Sequence, residues 1–157
     1  MKCVILCGGK GYRLREETEF RPKPLVPIGD RPILAHIMEI YRRHGVNEFV
    51  LCLGYKGEMV RDYFGGIQKA WATQGRDGII MVDTGEETTT GGRIRMIESF
   101  VKGETFHLTY GDGLGNVDIK ALTDFHRACN PTVTLTAVQP PSKFGELTMS
   151  DVTNRIQ

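Results

Sequence analysis

Apolar residues along the chain fall into two kinds of run, which alternate almost throughout. Short runs that are apolar on both faces, such as Lys2–Cys7 (KCVILC), are typical of strands buried in a parallel sheet. Longer runs with helical spacing, such as Pro32–Gly45 (PILAHIMEIYRRHG), predict amphipathic helices, with His44 in the last turn of this one and Gly45 as its stop. Because helical crossovers return the chain in the same direction, the alternation predicts a mostly parallel, doubly wound, Rossmann-like α/β sheet with helices on both faces.

The same patterns predict the remaining elements. Further strands are expected at 48–54, 78–85, 105–113 and 132–138, and further helices at 57–64, 91–100 and 117–128. A chain of 157 residues with 40% hydrophobic side chains is long enough for one core, so we expect a single domain over 1–157.

Three of the predicted strands end in polar, glycine-rich sequence. These ends are Gly8–Arg13, Asp83–Arg93 and Gly111–Gly113. Ligands of parallel sheets bind outside the carboxyl ends of the strands. The three segments are therefore expected to converge on one site.

The first of these segments, GGKGYR, suits a phosphate ligand because glycines let backbone N–H groups approach it closely. It lacks the spacing of a P-loop, since Lys10 precedes Gly11 and no Ser or Thr follows that lysine. It lacks the third glycine of a dinucleotide fingerprint, because Leu14 occupies that position. Simple ATPase and dehydrogenase functions are disfavoured, and a purely structural turn stays open.

Two further residues suit phosphate chemistry. Lys23 lies between two prolines, which restrict the backbone and present the lysine on a stiff segment. Asp112 follows a buried strand between two glycines, where a carboxylate can hold Mg²⁺ against phosphate oxygens. The alternatives are a solvated loop lysine and an ordinary Asp-Gly turn.

The 83–93 loop can bind a polar ligand at a helix N-terminus, or it can simply begin a helix with Thr88 or Thr90 as the N-cap.

Composition and charge argue against several classes of binding partner and of cellular location. The net charge is +1 and there is no run of lysine or arginine, so nucleic acid is not expected. No apolar run is long enough to cross a membrane or to serve as a signal peptide. The four cysteines form no C-x-x-C pair and are interpreted as small hydrophobes in a reducing compartment, which favours the cytoplasm.

Taken together, these motifs resemble a known family. Gly8–Arg13 followed by Lys23-Pro24 resembles the G-G-x-G-x-R and K-P signature of the sugar-phosphate nucleotidyltransferases. The stretches REETEFRPKPL, HIMEIY, LGYKG, VDTGEETTTGGRI, TYGDG and VDIKALTDFH most resemble members that transfer a cytidylyl group from CTP to glucose 1-phosphate. The resemblance runs over nearly the whole chain.

The resemblance implies a role for each matching residue. Arg13 and Lys23 would be catalytic, acting on the phosphates, and Asp112 would be a Mg²⁺ ligand. The implied nucleotide-binding residues are Leu6, Cys7, Gly8, Gly9, Lys10, Gly11, Tyr12, Arg13, Lys23, Thr88, Arg93 and Gly111. Tyr12 departs from the family, which carries Thr or Ser there.

Family domains continue beyond the position of Gln157, so this chain is expected to be an amino-terminal portion without the C-terminal part. The resemblance also implies a homo-oligomer. Two alternatives stay open: a sister enzyme that uses TTP, UTP or GTP, and a non-catalytic nucleotide-binding or assembly subunit.

Overall fold

The computed structural model describes residues 1–11, 19–73 and 78–138, with backbone alone for 67–73. Its main sheet has four parallel strands, and a two-residue antiparallel pair forms a second, small sheet. The strands are β1 (Lys2–Leu6), β2 (Pro27–Ile28), β3 (Arg31–Pro32), β4 (Glu48–Leu53), β5 (Ile79–Asp83) and β6 (His107–Tyr110). The helices are α1 (Ile33–Arg43), α2 (Gly57–Thr73), α3 (Thr90–Met96), α4 (Glu98–Val101) and α5 (Ile119–Cys129).

The main sheet has the order β5-β4-β1-β6, with β1 in its centre. Alternate residues of β1 point to opposite faces, so Ile5 and Val4 belong to two different hydrophobic clusters. The first cluster packs the sheet against α1 and α2, and the second packs it against Ile97 and Val101. Helices therefore cover both faces, which confirms the predicted doubly wound α/β fold.

Helices α2 and α3 differ from their predictions. The helix expected over 57–64 continues through two glycines to Thr73. Val60 and Phe64 are fully buried on that helix, and their packing outweighs the low helix propensity of glycine, about 1 kcal/mol per residue.

The single helix expected over 91–100 is wrong, because Ile97 leaves helical geometry (φ −100°, ψ 12°) and divides it into α3 and α4. Its side chain is fully buried in the second cluster.

The N-cap of α3 is Thr89, where Thr88 or Thr90 was expected. The Thr89 hydroxyl oxygen accepts a hydrogen bond from the N–H of Gly92 at 3.4 Å. This bond satisfies one of the amide groups that a helix leaves unpaired at its start.

Contacts divide the chain into two compact units, Met1–Lys120 and Ala121–Gln157. In the second unit, His126 Nδ1 lies 2.9 Å from Thr134 Oγ1. The strand predicted at 132–138 is wrong: this segment has no regular structure, and the side chains of Val133, Leu135 and Val138 are exposed. Alternating apolar residues favour a strand only where a neighbouring strand supplies hydrogen bonds, and the described part of the chain provides none for them. Whether 1–157 is one domain stays a prediction.

None of the helices in the described ranges is both long enough and apolar enough to cross a membrane.

Candidate active site

The strand order reverses between β1 and β6, and this reversal creates the site. From β1 the chain runs through α1 to β4 on one side, whereas β6 joins β1 on the other side. Loops that leave two such strands diverge to opposite faces and open a crevice at the carboxyl edge. The N–H of Gly111 donates to the carbonyl of Leu6 at 3.0 Å, so the ends of β1 and β6 stay joined at the base of the crevice.

A cavity of about 300 Å³ occupies this position. Among the described residues it is lined by Leu6, Cys7, Gly9, Gly11, Lys23, Pro24 and Asp112. The glycine segment, the lysine between prolines and the aspartate that follows β6 therefore line one crevice. The third predicted strand end, Asp83–Arg93, contributes no residue to the described lining. Tyr12 and Arg13 lie outside the described residues.

Lys23 begins a short 3-10 turn, Lys23–Leu25, that reaches into the crevice. The N–H of Leu25 donates to the carbonyl of Pro22 at 2.8 Å, and Pro24 is buried. These constraints hold the backbone, so only the Lys23 side chain remains to be positioned. Its ammonium group forms an ion pair with Oδ2 of Asp112, and the two side chains are 23% and 33% exposed.

Gly111 lets β6 approach the loop after β1. A Cβ at this position would lie 2.9 Å from Cys7 Sγ and 3.3 Å from both the Leu6 carbonyl oxygen and Pro24 Cγ. These separations are shorter than ordinary van der Waals contacts, so a side chain would push the two strand ends apart. The glycine before Asp112 therefore allows the carboxylate to reach the crevice.

Cys7 lines the crevice but is unsuited to act as a nucleophile. Burial raises the pKa of its thiol well above the usual value, and the neighbouring Cys52, Cys3 and Asp112 raise the pKa further. The reactive form of cysteine is the thiolate, which this environment disfavours.

Arg93 lies behind the glycine segment and is only 5% exposed. Its Nη1 donates to the Leu53 carbonyl at 3.0 Å and to Thr84 Oγ1 at 2.6 Å. Its Nη2 donates to the carbonyls of Gly8 at 3.2 Å and Glu86 at 3.0 Å. The guanidinium therefore connects the ends of β1, β4 and β5 through α3.

Thr84 was not predicted as a site residue. It is fully buried, and its hydroxyl donates to the Leu53 carbonyl at 2.6 Å. Its position directly after β5 is the only signal that the sequence offers, because its partners are distant along the chain.

Two other predicted nucleotide-binding residues, Lys10 and Thr88, have their contacts in the 83–93 loop. Lys10 makes an ion pair with Glu87, which joins the glycine segment to the 83–93 loop. Thr88 is half-buried and packs against Gly85 and Gly92, where a Cβ would approach its side chain to 3.1 and 2.8 Å. Neither Lys10 nor Thr88 is among the residues that line the cavity.

A cation site would depend on Asp112. Within residues 1–11, 19–73 and 78–138, no three acidic, histidine or cysteine side chains cluster as a metal site. A magnesium ion commonly binds to proteins through one or two carboxylates and takes its other ligands from phosphates and water. Asp112 therefore fits such an ion when a phosphate ligand supplies further oxygens.

Comparison with known proteins identifies the family. The sequence profile of the family described as nucleotidyl transferase matches residues 2–157. The chain belongs to the nucleotidyl transferase family. Its fold agrees with that assignment: a crystal structure of UDP-glucose pyrophosphorylase complexed with UDP-glucose superposes with a TM-score of 0.68 at 20% identity, covering 82% of this chain and 54% of that one.

Among relatives, this nucleotidyl transferase is 43% identical to a glucose-1-phosphate cytidylyltransferase of Salmonella typhimurium, over 94% of this chain and 64% of the relative. It is 34% identical to a D-glycero-alpha-D-manno-heptose 1-phosphate guanylyltransferase of Campylobacter jejuni, over 78% of this chain and 52% of the relative. The chain thus spans less than two thirds of the length of either protein.

Proposed function

We propose that this chain carries the nucleotide-binding part of an enzyme that transfers a cytidylyl group from CTP to glucose 1-phosphate, giving CDP-glucose and pyrophosphate. The observation that carries the proposal is that the glycine segment, Lys23 and Asp112 line one crevice at the point where the strand order reverses. The 43% identity to the Salmonella cytidylyltransferase supports the choice of CTP and glucose 1-phosphate.

The proposed reaction is a single displacement. An oxygen of the sugar phosphate attacks the α-phosphorus of CTP, and the bond from that phosphorus to the oxygen bridging it to the β-phosphate breaks. Pyrophosphate leaves with the electron pair of that bond, so the protein needs no nucleophile of its own. Catalysis then consists of positioning the two phosphates and stabilising the charge that develops on them.

Two parts of the crevice suit these tasks. Backbone N–H groups of the Gly8–Gly11 segment can point at phosphate oxygens, and the positive φ of Gly11 (65°) is available at low cost only to glycine. We propose that Lys23 neutralises charge on the triphosphate and that Arg13, in the same motif, assists it.

We assign a Mg²⁺ ion to Asp112. Its carboxylate would hold the ion beside the phosphates, and the bound ion supplies charge neutralisation at their oxygens. Asp112 pairs with Lys23 through Oδ2 in this structure, so the lysine already lies beside the carboxylate that would hold the ion.

The test measures nucleotide binding and product formation separately. Calorimetric titration with CTP, UTP, GTP or TTP in the presence of Mg²⁺ should give the tightest binding for CTP. Pyrophosphate release should then require glucose 1-phosphate. Equal binding of CTP and UTP would contradict the cytidylyl assignment, and absence of nucleotide binding would favour an assembly subunit.

Substitution of Asp112 tests the metal assignment. We expect Asp112→Asn to weaken Mn²⁺ binding, followed by its electron paramagnetic resonance signal in the presence of CTP. Asp30→Asn is the matched control, because the Asp30 side chain is 89% exposed and does not line the crevice. Equal Mn²⁺ binding by the two variants would remove Asp112 from the site.

A further inference from the structure

The carbonyl oxygen of Leu53, at the end of β4, is the centre of a buried hydrogen-bond network. It accepts from the Thr84 N–H at 2.9 Å, from the Thr84 hydroxyl at 2.6 Å and from Arg93 Nη1 at 3.0 Å. The Thr84 hydroxyl also accepts from Arg93 Nη1, so it lies between the guanidinium and the strand end. Loss of this hydroxyl would leave the guanidinium without one of its four acceptors.

The buried guanidinium of Arg93 has only uncharged hydrogen-bond partners among the described residues. Its hydrogen-bond acceptors are three carbonyl oxygens and one hydroxyl. Within the described residues, no carboxylate makes an ion pair with it. Burying a charge without a counter-charge lowers the stability of the folded state. A contribution to stability therefore does not explain the presence of Arg93 at this position.

The guanidinium also determines where glycine is needed. A Cβ on Gly8 would lie 2.0 Å from Nη1 and 2.4 Å from Cζ of Arg93. A Cβ on Gly54 would lie 2.7 Å from the carbonyl oxygens of Gly8 and Gly85 and 2.9 Å from Arg93 Nη1. The backbone of the segment after β1 therefore rests directly on the guanidinium.

We propose that Thr84 and Arg93 are positioning residues for the nucleotide. Together they hold the Gly8 carbonyl towards the protein interior, which fixes the start of the segment whose Gly9 and Gly11 line the crevice. Thr84 acts through Arg93 and is too deeply buried to touch a ligand. The inference rests on the proposed function, since it requires a nucleotide that binds against this segment.

Thr84→Val tests this role in the full chain, because valine keeps the shape of threonine and removes only the hydroxyl. We expect CTP to bind about tenfold more weakly in the presence of Mg²⁺, which corresponds to about 1.4 kcal/mol. Amide hydrogen exchange of residues 8–11 should become faster. Thr84→Ser keeps the hydroxyl and should restore CTP affinity to within about threefold of the unsubstituted chain.

Thr109→Val is the matched control. It removes a threonine hydroxyl from β6 that lies beside the Tyr41 side chain of α1. We expect this variant to lower the melting temperature without changing CTP affinity. If Thr84→Val lowers the melting temperature but leaves CTP affinity equal to that of Thr109→Val, the role of Thr84 is structural and the inference is overturned.

Arg93→Lys provides a second test that does not depend on Thr84→Val folding. Lysine keeps the charge, but its single nitrogen cannot reach all four acceptors. We expect CTP affinity to fall at least tenfold, whereas full affinity would show that charge alone suffices and would overturn the inference. Absence of CTP binding to the unsubstituted chain is a different result, because it contradicts the proposed function itself.

Discussion

Gly54 offers a sharp test of how closely the strand ends pack behind the crevice. Its φ lies outside the left-handed region, so a substitution by alanine is not opposed by backbone conformation. The obstacle is space, because the new methyl group would lie 2.7 Å from two backbone oxygens, those of Gly8 and Gly85. Backbone atoms cannot move aside as the end of a flexible side chain can.

The magnitude follows from these distances. Each oxygen would have to retreat by about 0.7 Å to reach ordinary contact. The Gly8 carbonyl is held by Arg93 Nη2 at 3.2 Å and by the N–H of Tyr55 at 3.3 Å, so this movement also strains two hydrogen bonds. Overpacking of this kind costs about 1 to 3 kcal/mol. With two obstructing backbone groups, we expect Gly54→Ala to reach about 3 kcal/mol.

Urea unfolding followed by circular dichroism measures this cost. With a urea dependence of about 2 kcal/mol/M, the unfolding midpoint should fall by about 1.5 M. Gly9→Ala is the control, since Gly9 is exposed, has φ outside the left-handed region, and has no atom within 4 Å of the position that a Cβ would take. Its midpoint should stay the same or rise slightly, because alanine lowers the entropy of the unfolded chain.

Equal midpoints for Gly54→Ala and Gly9→Ala would refute the reasoning. Such a result would mean that the ends of β1 and β5 yield to a methyl group at no cost. The guanidinium of Arg93 would then not hold the Gly8 carbonyl in place. The positioning role proposed for Thr84 and Arg93 would lose its structural basis as well.

Further predictions concern Lys23 and the cysteines. Lys23→Ala should lower kcat/KM for pyrophosphate release by about 10² to 10³ with the melting temperature unchanged; an unaltered kcat/KM would make Lys23 a solvated loop residue. Burial raises the pKa of the Cys7 thiol, and raises that of Cys52 to about 11 from 9.0. The folded state then binds more protons than the unfolded state above pH 9, so the free energy of unfolding should fall by about 1.4 kcal/mol per pH unit for each thiol. A free energy of unfolding that stays constant between pH 9 and 11 would contradict this prediction. Iodoacetamide at about pH 8 should modify exposed Cys129 well before buried Cys7, and equal rates would show that the crevice opens.

The elements that the sequence predicts well are those whose own side chains decide their structure. Strands β1 and β4 are apolar on both faces, and α1 carries Leu34, Met38 and Tyr41 on its buried face. Local patterns suffice there because burial follows the periodicity of the backbone. The 132–138 segment has a similar alternation, but pairing with a neighbouring strand decides whether such a pattern becomes a strand.

Some residues of the candidate site could likewise be selected from the sequence, and others could not. Gly8, Lys23 and Asp112 could be selected from sequence because glycine, the flanking prolines and a strand end each restrict the local backbone. Thr84 could not be selected from the sequence, because its importance depends on a hydrogen bond from its hydroxyl to the carbonyl of Leu53, which is 31 residues away. Arg93 was selected by resemblance, but its burial behind the glycine segment depends on four partners from different strand ends and loops.

The order of strands in the sheet explains why so few residues define the crevice. Lys23 and Asp112 are 89 residues apart, yet they pair because β6 lies beside β1 rather than at the far edge of the sheet. Had β6 been added next to β5, the same motifs would lie two strands further apart, about 10 Å at the usual strand spacing, and Asp112 could not reach the lysine. The local motifs therefore provide the candidate functional side chains, whereas the reversal of strand order between β1 and β6 brings those side chains together in one crevice.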